Sequence, residues 1–174
     1  IVWTCHDMWT FTGGCHHSGT CEGYQQQCGN CKFLKRPYSN DLSHTTWLRK
    51  KEVYTKYPFN IVTCSRWLRK RAENSSLLHD FSITDIPNPI NVDQFYPLAS
   101  KEHAKSALQL PSDKTLILFA AVNVQAVGKG YSYFREAIEQ LVQQHPWVKE
   151  TVELLVMGKA DTDLTSDFSL PVNY

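Results

Sequence analysis

The chain has 174 residues, 42% of them hydrophobic and 20% charged, with a formal net charge of +1. This is the make-up of a globular protein of one domain or two small ones, not of a disordered chain. No apolar run nears the ~18 residues that a bilayer-spanning helix needs.

Charge is unevenly spread. Residues 1–75 carry 11 Lys/Arg against 5 Asp/Glu, and residues 76–174 carry 7 against 12. A basic first half fits an anionic partner, either a membrane surface or phosphate groups; the plain alternative is a pair of solvated helix faces.

Ile1-Val2-Trp3-Thr4-Cys5 is β-rich and is expected to be a buried strand. It lacks the charged start and cleavage site of a signal peptide, and no initiator Met precedes it. It reads as the interior of a longer protein. His6-Asp7-Met8-Trp9 follows abruptly. In an open α/β sheet the carboxyl ends of strands face the ligand crevice, where His6 could contact a substrate and Asp7 could orient it. The alternatives are that His6 bonds a backbone carbonyl and that Asp7 caps a turn.

Cys15, Cys21, Cys28 and Cys31 form a C-x5-C-x6-C-x2-C array among glycines that rule out a regular element. Such a loop needs a staple. Tetrahedral zinc on four thiolates, a pair of disulfides and free thiols all remain open. Zinc here would be structural, because four thiolates fill its shell. Cys5 and Cys64 read as small buried hydrophobes on strands.

Ser43 to Tyr57 is expected to be a helix, with Leu42, Trp47, Leu48 and Tyr54 available to pack and Arg49-Lys50-Lys51 pointing outward. A buried strand, Phe59 to Cys64, comes next. Ser65 is the expected N-cap of a basic helix from Arg66 to about Asn74. Ile86-Pro87-Asn88-Pro89 cannot continue a helix or a central strand, and with Pro97 it reads as a rigid connector. Beyond it, Ser100 to Leu108 reads as a short helix. Thr115 to Val122 reads as a parallel strand covered on both faces, followed by a polar turn from Asn123 to Gln125. Tyr131 to about Gln144 reads as a helix with Tyr131, Phe134, Ile138 and Leu141 on one face, and Glu153 to Gly158 as another buried strand. The result is a β-loop-α-β unit in a parallel sheet. Lys129 and Gly130 stand at the helix start, where unpaired N–H groups and the dipole attract anions.

Three of these stretches resemble retaining family 4 glycosyltransferases, which have the two-Rossmann GT-B architecture. Ile86-Pro87-Asn88-Pro89-Ile90-Asn91 through Phe95-Tyr96-Pro97 is similar to that family's Ile-Pro-Asn-Gly-Ile-Asp-x-x-x-Phe-x-Pro, with Pro89 in place of Gly and Asn91 in place of Asp. His6-Asp7-Met8-Trp9-Thr10-Phe11-Thr12-Gly13-Gly14-Cys15-His16 resembles a motif of a bacterial subset that builds surface polysaccharides such as lipopolysaccharide or capsule. Lys129-Gly130 matches the donor-diphosphate lysine, while Val122 stands about where the family has Arg. The family's Glu-x7-Glu has no match.

The resemblance implies an α/β, GT-B-like fragment. Residues 1–97 would be the end of an acceptor-side Rossmann-like domain, with a Cys-rich loop at 12–31. Residues 98–174 would be the first β/α units of the nucleotide-sugar-binding domain. The implied reaction moves a hexose from a nucleotide-diphosphate sugar to a glycan or polyprenyl-phosphate-linked acceptor. It needs no metal cofactor, so any zinc belongs to the loop. His6 and Asp7 are the candidate catalytic residues; Gly13, Gly14, Asn123, Lys129 and Gly130 the candidate donor-binding residues; Cys15, Cys21, Cys28 and Cys31 the candidate metal ligands. A cytoplasmic location is implied, peripheral to the inner face of the membrane, with no nucleic-acid partner; the fragment alone is expected to be inactive. The rival reading is a zinc-stabilised basic module that binds nucleic acid or another polyanion without catalysis.

Overall fold

The computed structural model describes residues 1–173. They form a first compact unit, Ile1–Gln94, and a second that begins at Phe95. The divide falls inside the proline-bearing segment 86–97.

The first unit holds β1 (Val2–Cys5), α1 (Leu42–Lys56), β2 (Asn60–Thr63), α2 (Arg66–Glu73) and β3 (Ile83–Asp85). The strands are parallel in the order β1-β2-β3, with Trp3 opposite Ile61 and Ile61 opposite Ile83. Parallel neighbours need crossovers, which α1 and α2 supply. Both helices have side-chain caps. The Asp41 carboxylate accepts from the Ser43 and His44 amides, and Ser65 Oγ accepts from the Leu68 amide at 3.2 Å. Cys64 lies just past β2, not on it.

Helix α1 buries Ser43, Trp47, Lys50 and Tyr54, a stripe at alternating steps of four, three and four residues. Leu42 and Leu48 lie off that stripe and are exposed, contrary to the sequence expectation. The core gathers Met8, Phe11, Tyr24, Trp47, Tyr54, Ile61, Leu68 and Leu78. Strand β1 is less covered than expected, with only Cys5 buried. As the edge strand it has one neighbour, and Trp3 packs on Trp9, Tyr54 and Phe59 while Val2 stays exposed.

The second unit holds α3 (Lys101–Ala107), β4 (Thr115–Asn123), α4 (Tyr131–Gln144), α5 (Val148–Thr151), β5 (Val152–Lys159) and β6 (Val172–Asn173). Its strands are also parallel, in the order β4-β5-β6. Ser100 caps α3 through the His103 amide, at 3.1 Å. Ile138 and Val142 of α4 are buried beside Leu154, with Ile117, Tyr131, Phe134 and Leu141 packed against them. Strand β4 was expected to be covered on both faces, and it is not: Leu118 and Val122 are exposed. Side chains alternate along a strand, so the α4-facing row is sheltered and the opposite row is left open.

The architecture is α/β with two parallel three-stranded sheets, compatible with Rossmann-like folds. Among the described residues no helix is long and apolar enough to cross a membrane.

Candidate functional site

The first candidate region begins where β1 ends. His6 is exposed there, at the carboxyl edge that β2 and β3 share. Asp7 does not hydrogen-bond to His6. Its Oδ1 accepts the Trp9 amide at 2.7 Å and its Oδ2 accepts His16 Nδ1–H at 2.8 Å. Desolvation raises the Asp7 pKa, but the His16 and Trp9 hydrogen bonds and the nearby imidazoles outweigh it, leaving the carboxyl below its ordinary value. Asp7 therefore ties the start of the turn Trp9–Phe11 to His16.

Lys50 holds the same loop from beneath. The sequence placed it on an outward basic patch, yet it is only 7% exposed. Its ammonium donates to the Trp9 carbonyl and, at 3.0 Å, to the Thr12 carbonyl. It also lies 3.6 Å from the Trp9 ring centroid. Burial lowers its pKa to about 8, against the pull of Cys28, Cys15 and Asp7. The spacing 43–47–50–54 carried the signal, because position 50 falls on the buried stripe.

Gly13 allows a close approach, but to its own chain. A Cβ there would meet the Ser43 carbonyl oxygen at 2.3 Å and Cys28 Cβ at 2.7 Å. Its amide donates to Cys28 Sγ at 3.1 Å. Gly14 is exposed, with open space where a Cβ would be.

Cys15, Cys21, Cys28 and Cys31 come together on one cavity of about 410 Å³, shared with Trp9, Tyr24 and Phe33. All four are free thiols. Among the described residues no three His, Cys, Asp or Glu side chains are set so that they could hold a metal ion together. Burial raises the Cys28 pKa to about 11 despite the Gly13 N–H, and it also raises that of Cys15. The Cys28–Cys31 turn is tied to the start of α1. Asp41 Oδ2 accepts the Cys31 amide at 2.8 Å, and His44 Nδ1 donates to the Cys28 carbonyl at 2.8 Å. Asp41 was missed from sequence, although an Asp just before a helical pattern is an N-cap signal.

The third region lies in the second unit. Asn123 ends β4 and its Oδ1 accepts the Gln125 amide at 3.1 Å. Gly130 is the N-cap of α4 with φ +84°, a left-handed conformation that suits glycine. It offers no side-chain oxygen to the amides at the helix start. Lys129 is exposed and makes no side-chain hydrogen bond or ion pair among the described residues. Residues 125–133 line an open depression of about 660 Å³. This combination offers unpaired donors, a helix dipole and a mobile-stemmed cation to an anion.

The basic surface of α2 is smaller than its sequence suggests. Arg69 pairs with Glu73 at 2.7 Å and Asp85 at 3.1 Å, and Arg71 donates to Tyr24 Oη at 3.1 Å. Arg66 and Lys70 remain exposed on α2.

Parallel strands joined by helical crossovers, with loops at the strands' carboxyl ends, are compatible with a Rossmann-like α/β fold. A 56-residue stretch, 31% of the chain, is 34% identical to WcaC of Escherichia coli (strain K12), a protein provisionally named a colanic acid biosynthesis glycosyl transferase. The match covers 14% of that protein's length, so the chain corresponds to a small part of it. It supports a glycosyltransferase relationship at the general level. No family model matches the chain. No solved structure matches it.

Proposed function

We propose that the chain is part of a retaining glycosyltransferase of GT-B type that moves a hexose from a nucleotide-diphosphate sugar to a glycan or lipid-linked acceptor. The observation that carries this is the Lys129–Gly130 turn at the start of α4. There an unpaired lysine and uncapped helix amides offer a positive, hydrogen-bond-donating surface at the carboxyl side of a parallel strand. In the proposed reaction this surface stabilises the departing diphosphate as charge builds on it. His6, exposed at the end of β1, is the residue assigned to the transferred sugar. Asp7 acts on His16 and the Trp9 turn, and so keeps the loop in shape.

The open apolar row at Leu118 and Val122 of β4 supports the further reading that more structure covers that face of the second sheet in the working enzyme. The acceptor lies at a membrane surface in this reading, where the exposed basic side chains of α2 would face anionic headgroups.

The test is a transfer assay on the polypeptide encoded by the whole reading frame, with UDP-hexoses and GDP-hexoses as donors. Release of nucleoside diphosphate that is lost in His6→Ala, with donor binding retained, is the expected result. Undiminished release in that variant would remove His6 from the reaction.

A further inference from the structure

We propose that Cys15, Cys21, Cys28 and Cys31 are the ligands of one structural zinc ion seated in the cavity of the Cys-rich loop. The inference does not rest on the glycosyltransferase reading.

All four side chains line the same cavity, while Cys5 and Cys64 do not. Gly13, Gly14, Gly23 and Gly29 also line it, beside larger apolar residues such as Tyr24 and Phe33. From Gly13 to Asn40 the backbone has a single regular piece, the 3-10 turn Gly23–Gln25. A loop of that length inside a compact unit needs something besides its own backbone bonds to order it.

Hydrogen bonds already shape one half of the site. Gly13 N–H already points at Cys28 Sγ, at 3.1 Å, and no larger residue fits at position 13. Cys31 and Cys28 are fixed through their backbones by Asp41 and His44, so the half-site is held before an ion arrives. The buried Lys50 ammonium donates to the Thr12 carbonyl, next to Gly13 on the cavity wall. A zinc tetrathiolate carries a net negative charge that a nearby buried cation offsets.

The sulfurs as placed do not yet form a three-member donor set. Each swings on one χ1 rotation, and metal binding in such loops is coupled to their ordering. In the binding step each thiol gives its proton to solvent and donates its sulfur lone pair to Zn²⁺; nothing is oxidised or reduced. Thiolates select a soft cation over Mg²⁺ or Ca²⁺. Four of them leave no open position for water, so the ion orders the loop and takes no part in catalysis.

The experiment is native mass spectrometry of the reduced chain with Zn²⁺, paired with Co²⁺ titration read by absorption. One bound ion per chain is expected, together with thiolate-to-cobalt charge-transfer bands of a tetrahedral site. Cys28→Ser and Cys31→Ser should lose the ion and Cys64→Ser should keep it. The cobalt spectrum of the unaltered chain counts thiolates independently of how the Ser variants fold. Chelation should speed proteolysis within residues 13–40 and leave the unit that begins at Phe95 unchanged. Free thiols in excess Zn²⁺, or equal zinc binding by Cys28→Ser, would each overturn the proposal.

Discussion

The loop between β1 and α1 and the turn between β4 and α4 occupy equivalent places, each at the carboxyl end of a parallel strand, yet they handle their polar groups in opposite ways. In the first, the chain satisfies itself. Lys50 bonds the Trp9 and Thr12 carbonyls, Asp7 bonds Trp9 and His16, and Asp41 joins the start of α1 to Cys31. In the second, Gly130 leaves the helix amides without a cap and Lys129 without an ion-pair partner among the described residues. The lesson is that a loop's charged residues do not reveal its binding capacity. Unsatisfied donors do, because a group already paired must lose that bond before it can hold a ligand.

If the contrast holds, substitutions of the buried and paired residues of the first unit act on stability, and substitutions in the second loop on binding. Phe11→Ala should have the largest effect, about 3–5 kcal/mol, because this fully buried ring packs against Tyr24. Denaturant unfolding followed by tryptophan fluorescence would read it. Lys50→Met removes the donor to two loop carbonyls and should cost about 1–3 kcal/mol by the same measurement. A stabilising Lys50→Met would mean that the buried cation is a burden rather than a clamp. Ser65→Ala should cost about 1 kcal/mol through loss of the α2 cap, leaving the second unit's stability unchanged.

Acid sensitivity should sharpen the comparison further. Burial raises the Asp41 pKa, but hydrogen bonds from Ser43, Cys31 and His44 outweigh it and hold it at about 2. A carboxyl depressed in the folded state adds stability above its unfolded pKa, about 4, and loses it as pH falls toward about 2. Circular dichroism melts across that window should show a decline that Asp41→Asn flattens.

Local patterns were legible where a residue acts on its near neighbours. Ser65 caps α2 and Ser100 caps α3 as their positions announce. Tyr131–Gln144 is the expected helix, and Phe59 to Cys64 contains β2. What escaped was non-local. Helical spacing sets Lys50 on the Trp47–Tyr54 stripe, but nothing local names its acceptors, which are 41 and 38 residues away. The same holds for Asp7, whose partner His16 lies across a turn rather than beside it. Helix α5 and strand β6 were not anticipated, being too short to show a period. At the candidate sites, the four cysteines and the Lys129 turn could be named from spacing alone. Whether a glycine there faces a ligand or its own fold could not: Gly13 turned out to be packed on Ser43 and Cys28.

The central claim, that the turn before α4 holds a diphosphate, is tested most directly by ligand-detected NMR. UDP and GDP would be compared with UMP and GMP on the chain and on Lys129→Ala. The account predicts that the diphosphates bind more tightly than the monophosphates, and that Lys129→Ala weakens them about tenfold, the loss of one charge-assisted contact, without moving the melting temperature. Equal binding of mono- and diphosphates, or diphosphate binding untouched by Lys129→Ala, would contradict it.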